Sequence, residues 1–338
     1  MVEHSYMKAE VEHLFTDDIL EQAIEKFSLD KEKTIKLNSF ESFIFTSELN
    51  GKPCILRITH SSHRTVNEIR GEIDWINYLA ENGASVCKAY PAISGCFVEK
   101  IEQVDSSSYF CVSVFEKAEG VFLSKNRHLI TDTLIEEWGR IVGELHRLTK
   151  DYPDPPTEMK RKNWEHYLPV IEEYLENEPI ALERAKELFS NLKKLPKDRD
   201  CYGLIHYDVH HANFLVDNGK IRLFDFDDSE YSWFIADLSV ILFTAIWDNF
   251  QGEQSKEEFA QDFIDKFMIG YQKENSLNDW WLIQLANFIQ YRLILLYAVL
   301  SREYQLAPAE WIKKLLDKWK LLIETDKSYV NLDFLTND

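Results

Sequence analysis

The run Gly203-Leu-Ile-His206-Tyr-Asp208-Val-His-His-Ala-Asn213-Phe-Leu-Val-Asp-Asn218-Gly219-Lys-Ile-Arg-Leu-Phe-Asp225-Phe-Asp227-Asp228 sets three acceptor side chains around one β-hairpin. Asn218-Gly219 is the preferred dipeptide of a two-residue type I′ turn, and short apolar strands flank it on both sides. With that turn, Asp217 pairs with Lys220 and Asn213 falls opposite Phe224. Asn213 and Asp225 then share the open end of the hairpin, and Asp208 lies in the loop entering it. An amide oxygen beside a carboxylate suits a hard cation that takes oxygen ligands and keeps several waters, above all Mg²⁺ carried on nucleotide phosphates. Asp208 is a separate carboxylate able to accept a proton from an attacking hydroxyl. These are the parts of phosphoryl transfer, where positioning and charge neutralisation supply most of the catalysis. The expectation is an ATP- and Mg²⁺-dependent kinase acting on a hydroxyl-bearing acceptor, with Asp208 as base and Asn213 and Asp225 as metal ligands.

Such side chains need a scaffold. A chain of 338 residues with 45% hydrophobic content can bury two modest cores, so two lobes are expected. Ile19, Leu20, Ala23, Ile24 and Phe27 mark a short amphipathic helix over 17–27. Strands follow over 43–49 and 54–58, joined by Asn50-Gly51. Thr65-Val-Asn-Glu68 is a capping box. The helix it starts has Val66, Ile69, Ile73, Ile76 and Leu79 on its apolar face and stops at Asn82-Gly83. Further strands cover 97–101 and 110–115. From Thr133 the period is helical, with Leu134, Trp138, Ile141, Leu145 and Leu148 on one face before the stop at Tyr152-Pro-Asp-Pro-Pro. Helices are predicted over 163–177, 180–194, 234–248, 256–273, 279–303 and 308–325. The fold class is α+β: a first lobe over 1–118, a small antiparallel sheet with one helix and an N-terminal helical extension, then a larger, mainly helical lobe over 119–338 that carries the hairpin.

His206-x-Asp208-x-x-x-x-Asn213 followed by Asp225-Phe-Asp227 resembles the catalytic core of the aminoglycoside phosphotransferase and choline kinase superfamily, distant relatives of protein kinases. The likeness runs from about Ile35 to Gly270. Within the superfamily, Leu37-Asn38-Ser39-Phe40-Glu41-Ser42 and the run from Asp225 to Leu238 look most like the stress-response kinase A type of bacterial kinase. The resemblance implies a bilobal protein-kinase-like fold with ATP and Mg²⁺ as cofactors. Asp227 stands where protein kinases carry glycine, and is either a second metal ligand or a turn cap. Asp237 resembles the aspartate that braces the catalytic loop from a following helix, and His206 is read as holding the loop backbone. Arg57 occupies the place of the usual phosphate-contacting strand lysine, with Glu72 as its carboxylate partner and Glu68 as the fallback. In place of a Gly-rich loop, the Ser39 hydroxyl and the backbone N–H groups of 38–41 cover the phosphates. Backbone groups of 115–118, Glu116 and Ala118 among them, meet the adenine. His146 matches a family helix position and is read as packing, and His210 and His211 as loop residues.

A formal charge of −20 argues against a nucleic-acid partner, since phosphate backbones are held by clustered Lys and Arg. Five cysteines (54, 87, 96, 111, 201) without a C-x-x-C pair fit reduced thiols in a cytoplasmic protein. No signal peptide is expected, and the apolar stretches 234–247 and 288–300 fall short of the roughly 20 residues that span a membrane. Two competing functions stay open. One is a metal-dependent hydrolase using His206, Asp208 and His210. The other is a catalytically weak nucleotide-binding protein of the same fold, kept alive by Arg57. The acceptor is expected to be an amino sugar, an amino alcohol or a protein Ser/Thr. Asp208, Asp217, Asp225, Asp227, Asp228, Glu230 and Asp237 crowd the catalytic segment and favour a neutral or cationic acceptor. Trp164, Tyr167, Tyr231 and Trp233 are either acceptor contacts or core.

Overall fold

The computed structural model describes residues 11–37, 39, 41–103 and 107–336. The chain divides into two compact units. One holds the described residues up to Glu119 together with Tyr152–Arg161, and the other holds Gly120–Asp151 and the residues from Lys162 onward. The architecture is α+β, with an antiparallel sheet in the first unit and a larger helical second unit.

In the first unit the strands are β1 (Ile35–Leu37), β2 (Phe43–Leu49), β3 (Lys52–His60), β4 (Ala89–Tyr90), β5 (Glu99–Glu102) and β6 (Tyr109–Glu116). They lie in the order β1-β2-β3-β6, with β4 and β5 both paired to β6, all antiparallel. Asn50 and Gly51 both take positive φ and bring Leu49 opposite Lys52, as a tight primed turn requires. Helix α1 (Asp17–Phe27) packs Ile24 and Phe27 against Phe43, Leu56, Phe110 and Val112. Helix α2 (Val66–Glu81) packs Ile69 and Ile73 into a separate cluster with Val98 and Cys111. Each fully buried side chain of this kind stabilises the unit by about 1.5–3 kcal/mol. The middle strand is therefore covered on both faces, and β3 is buried without a break from Leu56 to His60. A charged residue in that run, Arg57, must find a partner. All five cysteines are free, and four of them are buried.

The second unit contains α3 (Asp132–Thr149), α4 (Tyr167–Tyr174), α5 (Pro179–Leu192), α6 (Phe234–Trp247), α7 (Lys256–Tyr271), α8 (Asp279–Leu306) and α9 (Glu310–Glu324). Two small ribbons lie among them, β7 (Tyr202–Ile205) with β10 (Glu230–Trp233), and β8 (Phe214–Asp217) with β9 (Lys220–Leu223). The first ribbon is absent from the sequence reading, and the helix expected over 163–177 is a 3₁₀ turn at Trp164–His166 followed by the shorter α4. Helices α3 and α7 touch backbone to backbone. A Cβ at Gly139 would lie 1.9 Å from the Phe267 carbonyl oxygen, and one at Gly270 1.7 Å from that of Glu136. Only glycine permits this approach. Trp164 and Trp233 are fully buried with ring centroids 5.0 Å apart, which makes them core rather than acceptor contacts. The stretch read as too short to span a membrane belongs to a longer element. At 28 residues, α8 is long and apolar enough by length and composition, and its most apolar window is 67% buried within the protein. It packs against α4, α5, α6 and α9.

Candidate active site

The site is built from the base of α6 upward. That helix is apolar on nearly every side, yet its first turn carries Asp237, which has no exposed surface. A buried carboxylate needs donors. Asp237 accepts the backbone N–H of His206 at 3.3 Å and that of Tyr207 at 2.7 Å. His146 of α3 adds a third contact, Nε2 to Asp237 Oδ2 at 3.0 Å. Asn275 donates to the Tyr271 hydroxyl, which leaves that hydroxyl to donate to His146 Nδ1 at 2.9 Å. His146 thus carries a proton on Nε2 toward Asp237. The α3–α7 glycine contact holds this relay together, because Tyr271 ends α7 and His146 lies on α3. Its product is a strained loop: Tyr207, a bulky residue, sits at φ 63°.

Tyr207 in that conformation leads into Asp208. His206 Nδ1 accepts the Asp208 backbone N–H at 3.3 Å, so its Nε2–H donates to the Phe224 carbonyl at 3.2 Å. Burial pushes the His206 pKa below its ordinary value, consistent with a neutral ring that tethers the loop to the hairpin. The hairpin has the expected register, Asp217 opposite Lys220 and Phe214 opposite Leu223. The Phe224 N–H reaches the Asn213 carbonyl at 3.1 Å, which puts Asn213 and Asp225 at the same end. Asn213 is nearly buried, and its amide nitrogen donates to the Asp208 carbonyl at 2.9 Å and to Asp208 Oδ2 at 2.8 Å. Both amide hydrogens are thereby committed, and the amide oxygen remains as an acceptor. Asp225 is exposed and takes φ 63°, while Asp227 is nearly buried two residues on. Amide and carboxylate oxygens with no nitrogen or sulfur donor among them fit a hard divalent cation.

Asp208 has two further partners that the sequence reading missed. Arg292 of α8 donates through Nη2 to Asp208 Oδ1 at 3.1 Å, and His210 Nε2 lies 3.2 Å from Oδ2. Burial opposes ionisation of Asp208, but His210 and the Arg292 guanidinium outweigh it and hold the carboxyl well below the usual carboxylate range. His210 had been set aside as a loop residue. Its Nδ1 accepts the Ala212 N–H at 3.1 Å, which fixes the ring proton on Nε2 toward Asp208. With their Nδ1 atoms occupied and their Nε2 protons committed, neither His206 nor His210 offers a lone pair to a transition metal. The hydrolase reading fails on that ground. His211 contacts Asp248 instead, 3.2 Å away. The acidic surplus is also smaller than the sequence suggests. Glu230 is only 1% exposed, and burial and then Asp228 push its pKa well above the ordinary value, so it is not a solvated surface carboxylate.

In the first unit, Arg57 and Glu72 form a buried fork. Nη1 meets Oε1 at 2.9 Å and Nη2 meets Oε2 at 2.6 Å, with the Phe115 ring 4.7 Å from the guanidinium carbon. Glu68 is engaged instead with Thr65 in the capping box at the start of α2. The Ser39 hydroxyl donates to the Ser42 carbonyl and closes its own turn. Asn38 and Phe40 lie outside the described residues. The Glu116 N–H donates to the Lys88 carbonyl at 2.8 Å, and Ala118 follows just past the end of β6.

The sequence profile of the phosphotransferase enzyme family matches residues 36–274. The chain is 33% identical to the amicoumacin kinase of Bacillus subtilis (strain 168) over 321 residues, 94% of this chain and 95% of that protein. It is similar to a solved amicoumacin kinase in complex with AMP-PNP and Ca²⁺, at 31% identity and a TM-score of 0.92 over 98% of this chain and 99% of that one. A microcompartment-associated aminopropanol kinase has a TM-score of 0.72 over 91% of this chain and 95% of its own, but at 22% identity this is a likeness of fold. None of these is a stress-response kinase A, so the narrower likeness drawn from the loop at 37–42 adds nothing to the assignment. On the profile and on the amicoumacin kinase likeness along nearly the whole chain, the protein belongs to the phosphotransferase enzyme family.

Proposed function

We propose that the protein transfers the γ-phosphoryl group of Mg-ATP to a hydroxyl of amicoumacin or of a small molecule closely like it. The observation that carries the acceptor is the likeness to amicoumacin kinase, which extends far beyond the catalytic motif through nearly all of both chains. Fold alone would leave the acceptor open. Asp208 orients the attacking hydroxyl and takes its proton late. Its depressed basicity suits a loose transition state, in which the nucleophile needs little activation before bond formation. Asn213 and Asp225 hold the divalent cation through oxygen, with Asp227 beside them. A divalent cation there neutralises charge on the phosphates, which the acidic hairpin cannot do by itself. Asp237 and His206 act on the loop backbone and touch no reactant.

In the first unit, Arg57 keeps Glu72 in its fork with one N–H from each Nη atom and stands in the place of the usual phosphate-contacting strand lysine. The Glu116 carbonyl and the Ala118 backbone are the groups offered to adenine, since the Glu116 N–H is committed to Lys88. The test is ADP release from Mg-ATP with amicoumacin and, separately, aminopropanol, with the product mass measured. Gain of one phosphate by amicoumacin is expected. ADP release with aminopropanol and none with amicoumacin would move the acceptor to another class.

A further inference from the structure

We infer that Arg292 is the positioning residue that fixes Asp208 for attack, and that the acceptor hydroxyl docks at Asp208 Oδ1 beside the Arg292 guanidinium. This rests on the reading of Asp208 as proton acceptor. A carboxylate offers about two lone pairs on each oxygen. Oδ2 is used twice, by Asn213 Nδ2 at 2.8 Å and by His210 Nε2 at 3.2 Å. Oδ1 is used once, by Arg292 Nη2 at 3.1 Å. The position left for an incoming hydroxyl is therefore the second lone pair of Oδ1.

Of the three partners, Asn213 is uncharged, and His210 takes the Ala212 N–H on its Nδ1. Arg292 alone among them brings a permanent positive charge. It is also well mounted, on a 28-residue helix packed by several others, only 7% exposed, with its guanidinium 5.5 Å from the ring centre of Tyr207. Side chains held this way on a rigid element orient a reacting group better than loop residues do. In the transfer, the hydroxyl oxygen forms its bond to the γ-phosphorus, the bond from that phosphorus to the ADP oxygen breaks, and the hydroxyl proton passes to Asp208 Oδ1.

The test is kcat and nucleotide KM for Arg292→Ala, Arg292→Lys and Asp208→Asn. ADP release is read with amicoumacin as acceptor, or with water as acceptor if amicoumacin is not turned over. Arg292→Ala is expected to lose about 10²-fold in kcat, the effect of a misplaced reacting group, with nucleotide KM within about twofold of wild type. Arg292→Lys should recover much of that loss. Added guanidinium at low millimolar concentration should partly restore Arg292→Ala, while urea, the neutral molecule of similar shape, should not. Asp208→Asn with Arg292→Ala should be little worse than Asp208→Asn alone. If Arg292→Ala does not fold, Arg292→Gln, which keeps length and an N–H donor without charge, is read in its place against Arg292→Lys. Near-wild-type kcat in Arg292→Ala or Arg292→Gln, a rise in nucleotide KM matching the fall in kcat, or equal rescue by urea overturns the inference. Full turnover in Asp208→Asn would instead remove the reading beneath it.

Discussion

Replacing Asp237 with asparagine changes one atom and should be felt both in stability and in turnover. The carboxylate accepts three donors, the N–H groups of His206 and Tyr207 and the Nε2–H of His146. An amide offers one oxygen and one NH₂. With its oxygen toward Tyr207, the NH₂ confronts both His206 and His146; with its oxygen toward that pair, it confronts the Tyr207 N–H. The second orientation orphans fewer groups and sets the lower bound, one buried unpaired donor at about 1–3 kcal/mol. The first would cost about twice that. Either is a sizeable share of a typical stability of about 5–15 kcal/mol. The Tyr207 bond, at 2.7 Å, is the shortest of the three and restrains a residue at φ 63°, so its loss should also let Asp208 drift. Urea unfolding should show a loss of at least about 1 kcal/mol. ADP release should fall by about tenfold or more, as expected for a shifted reacting group. Unfolding within about 0.5 kcal/mol of wild type together with unchanged turnover would refute the bracing role, since that is the scatter of a neutral substitution.

Removing one partner of the buried Arg57–Glu72 fork should cost about 3–5 kcal/mol in Arg57→Ala. Arg57→Lys should keep part of the nucleotide affinity measured by calorimetry, and wild-type stability in Arg57→Ala would show that Glu72 has another counterion. Asp225→Ala should weaken Mg-ATP binding more than Asn213→Ala, because it removes a full charge; unchanged affinity in Asp225→Ala would end the metal assignment. For Glu230, the folded-state pKa lies well above the 4.5 of the exposed group, so folded protein retains a proton that unfolded protein releases. Wild-type stability should then fall as pH rises from 4.5 toward the folded value. Glu230→Gln should lack that decline and be relatively more stable at neutral pH. A difference between the two proteins that does not change with pH would show that Glu230 is ionised in the folded state.

What could be read in the sequence follows from which interactions are local. The Asn218-Gly219 turn and the period-2 strands around it encode the hairpin register within a dozen residues, and the structure has that register. The capping box at Thr65 and the Glu72 partner of Arg57 were also legible, one from local spacing and the other from the family likeness. Arg292 was not, because it lies 84 residues from Asp208 and no periodicity links them. Its one sign in the sequence is a charge inside the apolar run 288–300. His146 was read as packing because its partners, Asp237 and Tyr271, come from two later helices. Glu230, counted in the sequence with the charged crowd of the catalytic segment, is placed inside by its pairing with Ile205. The glycines of α3 and α7 carry no sign, in sequence, of the backbone they meet.

The most direct measurement of the central claim compares wild type with Asp208→Asn in ADP release from Mg-ATP with amicoumacin, alongside AMP-PNP binding by calorimetry. Asp208 is read as the group that orients the hydroxyl and takes its proton, so turnover should fall by about 10²–10⁴ in the variant, the usual contribution of a positioned acid or base. Nucleotide affinity should stay close to wild type. Turnover in Asp208→Asn within about twofold of wild type, with the same affinity for AMP-PNP, would contradict the account.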